Sequence, residues 1–177
     1  ESVFNIPGIG RLTVDAIIFD LEDAVAAEEK ANARALLAET LATGGYGARA
    51  QIVRLNGMDT EWGQADLDAI MPVGPQAVLL PKVDGPEMVE AVARQLDANP
   101  ATQDTQIWAM METATGILNA AAIARAPRMA GLVLGTNDLA KELTCRTRAD
   151  REPLLLSLQM CLLAARAAGI ACIDGVY

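Results

Sequence analysis

The sequence predicts an α/β fold, a (β/α)8 TIM barrel, from three observations. First, short apolar runs end in charged or small polar residues: Ile17-Ile18-Phe19-Asp20, Ile52-Val53-Arg54, Val78-Leu79-Leu80-Pro81-Lys82, Ala109-Met110-Met111-Glu112, Leu132-Val133-Leu134 before Gly135-Thr136-Asn137-Asp138, and Cys172-Ile173-Asp174. Second, longer segments with helical character separate these runs, so strand and helix alternate at about 30 residues per unit, the size of a βαβ repeat. Third, apolar residues make up 52% of the chain and aromatics only 3%, which suits helices packed on a parallel sheet buried on both faces. In such folds ligands bind at the C-terminal ends of the strands, where these charges lie. The regular repetition favours a barrel over a doubly wound sheet.

Taken in order, Ser2 to Ile6 reads as a first strand, stopped by Pro7-Gly8. Gly8 to Thr13 is too short for a helical crossover, which needs about a dozen residues, before the next strand at Asp15 to Phe19. Ala24 to Leu41 reads as a helix, with Glu28 to Lys30 facing solvent, Val25, Leu36, Leu37 and Leu41 facing the sheet, and Gly44-Gly45 ending it. Gln51 to Leu55 is a strand, Asn56-Gly57 a turn and Trp62 to Ile70 a helix. Ala77 to Pro81 is a strand, and Gly85-Pro86 opens a helix from Glu87 to Leu96. Ile107 to Met111 is apolar and too short for a helix. It is the buried strand on which the rest is centred, followed by helix from Gly116 to Arg125. Gly131 to Leu134 is a strand, Lys141 to Asp150 a polar loop, Arg151 to Ala168 a helix and Ile170 to Ile173 the seventh strand. The expectation is one domain over residues 1–177, with the last βα unit and part of the first lying outside this sequence.

The net charge of −9 argues against a nucleic-acid partner. There is no histidine, which removes histidine bases, triads and histidine-ligated zinc from this chain. Cys145, Cys161 and Cys172 show no C-x-x-C spacing and read as reduced core residues of a cytoplasmic protein. Pro153 to Ile170 is the most apolar long stretch, but Gln159 and Arg166 mark it as a buried helix and not a membrane span.

The charged strand ends are the candidate site. Glu112 and Asp138 suit a magnesium ion, which prefers carboxylate oxygen and often takes only one or two protein carboxylates; helix-terminal roles are the competing reading. Asp20, Glu22 and Asp23 repel one another unless cations or hydrogen bonds offset them. They read either as support for the same metal through water or as a helix cap and surface charge. Arg54 can hold a substrate carboxylate bidentately or pair with one of these acids. Lys82 can neutralise substrate charge or pair with Glu112. A Schiff-base role is disfavoured, because neighbouring carboxylates raise its pKa. Gly135, Thr136 and Asn137 form a small-residue turn at a helix start whose N–H groups can bind an anion, although any tight βα turn needs small residues. Phe19-Asp20-Leu21-Glu22 is also reminiscent of a haloacid-dehalogenase-type phosphatase, but Glu22-Asp23-Ala24 fits that pattern poorly.

Asp-Leu-Glu-Asp-Ala-Val at 20–25, Val-Arg-Leu-Asn-Gly at 53–57, Leu-Leu-Pro-Lys-Val at 79–83, Met-Glu-Thr-Ala-Thr-Gly at 111–116, Gly-Thr-Asn-Asp-Leu at 135–139 and Ile-Asp-Gly-Val-Tyr at 173–177 stand together in one order. In this the chain resembles the citrate lyase beta-subunit-like branch of the HpcH/HpaI aldolase superfamily. The resemblance implies a magnesium-dependent carbon–carbon lyase acting on a 3-hydroxy acid or its CoA thioester, of citryl-CoA or malyl-CoA type. It implies Glu112 and Asp138 as Mg2+ ligands, Arg54 on the substrate carboxylate, and Asp20 and Glu22 near the metal and its waters. It further implies a keto acid or hydroxyacyl-CoA as small-molecule partner and a homo-oligomer, trimer or hexamer. An aldolase on pyruvate-type substrates and a non-catalytic degenerate barrel are the alternatives.

Overall fold

The computed structural model describes residues 16–147 and 149–175. Among them, six strands form one all-parallel sheet: β1 (Ala16–Asp20), β2 (Ala50–Arg54), β3 (Ala77–Leu80), β4 (Gln106–Met111), β5 (Met129–Leu134) and β6 (Ala171–Ile173). Their spatial order is their sequence order, β1-β2-β3-β4-β5-β6. A doubly wound sheet would reverse direction at a switch point. Right-handed crossovers that always step the same way instead place every helix on one face, as in a (β/α) barrel. The proposed strand at Ser2 to Ile6 lies outside the described residues.

Side-chain alternation divides the sheet cleanly. Val53, Val78, Leu80, Ile107, Ala109, Met111, Leu132 and Leu134 point to the helices and join the main core. Ile52, Ala77, Leu79, Trp108, Met110 and Val133 form a second, strand-only cluster on the opposite face. The Trp108 ring needs space there. Gly131, its cross-strand partner in β5, supplies it, since a Cβ at this position would sit 2.5 Å from the ring. Ile18 belongs to the same inner face of β1, at the sheet edge, and is 41% exposed.

The helices are α1 (Lys30–Thr43), α2 (Gly63–Ile70), α3 (Pro86–Asp97), α4 (Ala114–Leu118), α5 (Ala120–Ile123), α6 (Thr136–Glu142) and α7 (Leu155–Ala168). Helix α3 starts as expected, with Pro86 at its first position, where a missing N–H costs nothing. Several boundaries differ from the sequence reading. Helix α1 begins at Lys30, after a 3-10 turn at Ala27–Glu29. Lys30 is buried and not solvent-facing, and Leu36 is 65% exposed while Leu37 and Leu41 carry the packing. The segment expected as one helix from Gly116 to Arg125 is two short helices meeting at Asn119. Helix α6 occupies part of what read as turn and loop, and α7 starts four residues later than expected, after a 3-10 turn at Glu152–Leu154. No helix of the described residues is long and apolar enough to cross a membrane.

Candidate active site

The strand parity that builds the inner cluster also builds the site. Continuing the inner-face positions by one step at the C-terminal end gives Asp20 after Ile18, Arg54 after Ile52, Glu112 after Met110 and Gly135 after Val133. Apolar side chains fill the inner face, and at its C-terminal rim the same register presents charge.

Asp20 and Arg54 are register partners across β1 and β2. Arg54 donates from Nε to Asp20 Oδ1 at 2.8 Å and from Nη2 to Asp20 Oδ2 at 2.5 Å. Asp20 also accepts the Glu22 N–H at 2.8 Å and the Ala24 N–H at 3.2 Å. Burial alone would raise the Asp20 carboxyl, but the Arg54 contacts and these N–H groups together hold it below its usual value. Arg54 is likewise half-buried, yet the surrounding carboxylates lift it further above its already high value. Its Nη1 lies 2.9 Å from Glu22 Oε2 but off the N–H direction, so this buried oxygen accepts no hydrogen bond. Of the two sequence readings of Arg54, the ion pair with the neighbouring acids describes the geometry directly.

Glu112 follows β4 and is 4% exposed. Its Oε1 accepts the backbone N–H of Lys82 at 2.9 Å. Lys82 reaches this position with φ +49°, a left-handed conformation uncommon for a side chain of its size. Burial pushes the Glu112 carboxyl up to about 7, with the Glu22 and Asp138 charges adding to the rise and Lys82 opposing it. Glu22 is raised for the same first reason, burial, with Arg54 and Lys82 opposing. Gly135 makes room for the carboxylate: a Cβ there would lie 2.5 Å from Glu112 Cβ and Oε2.

Lys82 Nζ stands 3.5 Å from Glu22 Oε1. Its partial burial would lower it, but Glu22 and Glu112 outweigh that and keep the ammonium protonated, which speaks against a Schiff-base role. Asp138 lies on the first turn of α6 and accepts from Lys141 Nζ at 2.6 Å; that hydrogen bond lowers its carboxyl. The Gly135 N–H is committed to the Met111 carbonyl at 3.1 Å, so Gly135 serves by its missing side chain and not as an anion donor. Thr136 is buried and Asn137 exposed on α6.

These residues fit a cation that keeps much of its water. Among the described residues no three carboxylate, cysteine or histidine side chains form a closed metal cluster. Two neighbouring carboxylates, Glu112 and Asp138, are what a magnesium ion ordinarily takes from protein. The raised Glu112 carboxyl marks negative charge that the surrounding side chains offset only in part. The sequence reading found every strand-end charge. It missed Lys141, whose i,i+3 spacing from Asp138 was available, and Asn56, which it took for a turn residue.

The sequence profile of the HpcH/HpaI aldolase/citrate lyase family matches residues 6–177. A (3S)-malyl-CoA thioesterase of Cereibacter sphaeroides is 57% identical over 185 residues, covering 100% of this chain and 63% of the relative. The citrate lyase subunit beta of Leuconostoc mesenteroides subsp. cremoris is 37% identical over 174 residues, covering 95% of this chain and 58% of the relative. A crystal structure of the Mycobacterium tuberculosis protein CitE with magnesium, acetoacetate and coenzyme A has a TM-score of 0.77 at 32% identity, across 92% of this chain and 58% of that one. The chain thus spans less than two thirds of the length of each of these three. With the profile matched over nearly its whole length, and with strand-end charges gathered on one rim of a parallel sheet, the chain belongs to the HpcH/HpaI aldolase/citrate lyase family.

Proposed function

We propose that this chain carries the metal and carboxylate site of a magnesium-dependent carbon–carbon lyase that cleaves a 3-hydroxy acid or its CoA thioester, of citryl-CoA or malyl-CoA type. Glu112 carries this reading: a buried carboxylate at a strand end, raised to about 7, with the Asp138 and Glu22 charges beside it. Magnesium in the related CitE structure supports it. Glu112 and Asp138 would hold the ion, with water and substrate oxygens completing its shell. Bound there, magnesium supplies Lewis-acid stabilisation of negative charge developing on oxygen.

The chain's own residues do the rest. Arg54 and Lys82 are the cations on the rim that balance a substrate carboxylate. Arg54 spends Nε and Nη2 on Asp20, so Asp20 fixes the guanidinium plane, while Nη1 lies against Glu22 and Asp23. Glu22, pushed up by burial, is the carboxylate placed to hold a proton. Loss of the hydroxyl proton lets the C–O electrons form a carbonyl. The adjacent C–C bond breaks and its electron pair leaves with the acetyl thioester as an enolate, which takes a proton to give acetyl-CoA beside a 2-oxo acid. The same reading includes closure of the sheet as an eight-stranded barrel.

The 57% identity to a malyl-CoA thioesterase favours a second reading, in which water cleaves the thioester of the same kind of substrate. Product analysis separates them. Full-length protein is incubated with malyl-CoA and with citryl-CoA, with Mg2+ and with chelator. Mg2+-dependent acetyl-CoA and 2-oxo acid are expected. Free CoA with intact hydroxy acid would replace the lyase by the hydrolase.

A further inference from the structure

Behind the acidic loop lies a buried cation that the chemistry above does not use. Lys30, at the start of α1, is 7% exposed. Its Nζ donates to Leu21 O at 2.8 Å, Glu22 O at 2.7 Å and Asn56 Oδ1 at 2.8 Å, which uses all three ammonium protons. The Trp62 ring closes the cage, with Nζ 5.3 Å from its centroid, within cation–π range. All three acceptors are neutral oxygens. An ammonium taken out of water without a direct carboxylate partner is costly, and a packing role alone would be met by an apolar side chain.

The cage is itself anchored. Asn56 donates from Nδ2 to Leu21 O at 2.9 Å and to Asp66 Oδ2 at 2.6 Å, and its N–H donates to Asp66 Oδ2 at 3.0 Å. Asp66 is fully buried, and its Oδ1 accepts from Arg34 Nε at 2.8 Å. The network ties α1 and α2 to the two residues between Asp20 and Asp23. Lys30 grips the backbone of Glu22, while the Glu22 side chain projects to Arg54 and Lys82.

Resting on the proposed metal site, we infer that Lys30 is a positioning residue: its caged ammonium fixes the Leu21 and Glu22 carbonyls and thereby sets the Glu22 carboxylate against the Glu112–Asp138 site. Lys30 touches no substrate and acts through Glu22. Removing the ammonium leaves Leu21 O bonded to Asn56 and Glu22 O bonded to the Val25 N–H, so the loop stays folded but loses its fixed reach.

A double-mutant cycle in the full-length protein tests this, with Mn2+ as probe in place of Mg2+ and binding read by electron paramagnetic resonance. Lys30→Met, Glu22→Gln and the double variant are compared, with Lys30→Gln as a second form that keeps an uncharged N–H donor group if Lys30→Met folds poorly. Lys30→Met is expected to weaken Mn2+ binding or kcat about 10-fold, the lower range for supporting residues at metal sites, with Lys30→Gln between it and wild type. In the Glu22→Gln background the same change is expected to have little further effect. Equal losses in both backgrounds, or none in either, would overturn the positioning role while leaving the metal site intact. Wild-type protein that binds no Mn2+ would instead overturn the proposed function, and this inference with it.

Discussion

At the scale of the residue, Glu112 sets two opposing pH dependences. Its folded carboxyl is raised from the usual 4.5 to about 7 by burial, with Glu22 and Asp138 adding to the effect. The folded state therefore holds this proton more tightly than the unfolded chain does. The stabilisation is full below about 4.5 and is lost as pH rises through about 7. Without metal, Glu112→Gln should thus melt at higher temperature than wild type at pH 8, and the gap should close toward pH 5. Thermal melts in chelator across that range check this; a gap that is absent or of opposite sign would place the Glu112 charge in a solvated setting. Metal binding runs the other way, because the cation must displace the proton. Mn2+ affinity should climb as pH rises toward 7, by up to about tenfold per unit for one proton displaced, then level off, and be lost in Glu112→Gln.

At the scale of the element, strand β5 and the residue that follows it separate stability from function. Gly131 lies under Trp108, and Gly135 lies against Glu112 four residues on. Gly135 has φ −90°, so space and not conformation requires glycine there. Gly131→Ala should cost about 1–3 kcal/mol by overpacking and leave Mn2+ binding near wild type. Gly135→Ala should displace the Glu112 carboxylate and weaken Mn2+ binding about 10- to 100-fold. Urea denaturation and metal titration of both variants check this, and matching behaviour of the two would contradict it. The same contrast bears on what could be read from the sequence. Strands were legible because a short apolar run ended by a charge, such as Met110-Met111-Glu112, fits little in an α/β protein except a buried strand reaching the rim. Helix starts were less so: the acids from Asp20 to Asp23 are held by Arg54, a residue of the next strand, so they could not be told from a helix cap. Of helix α6 only the start was legible, because Gly-Thr-Asn-Asp carries turn and cap residues, and the helicity beyond it comes from Leu139 and Ala140 packing into the core. Lys30 was misplaced because its acceptors lie 8, 9 and 26 residues away, beyond any periodicity.

At the scale of the whole molecule, the site draws on nearly every strand. Asp20 and Glu22 come from β1 and its loop, Arg54 from β2, Lys82 from the end of β3, Glu112 from β4, and Asp138 from the helix after β5. That strands would neighbour in sequence order was legible from the short crossovers; that Lys82 would turn its backbone N–H onto Glu112 was not. Because Glu112 and Asp138 stand on adjacent βα units, a cation between them ties those units together and should stabilise the folded chain as a unit. Ligand present at 100-fold its dissociation constant adds about 2.7 kcal/mol, and for a chain of this length each kcal/mol moves the midpoint by about 2–4 °C. Saturating Mg2+ should therefore raise the melting temperature by about 5–10 °C. Matched ionic strength with a monovalent salt is the necessary control, because the net charge of −9 makes screening alone stabilising. Glu112→Gln and Asp138→Asn should each abolish the Mg2+ increment, while Lys141→Met, which frees Asp138 from its ion pair, should retain it. An increment reproduced by monovalent salt, or one that survives in both carboxylate variants, would mean that magnesium acts on the acidic surface at large and that the two strand ends do not share an ion.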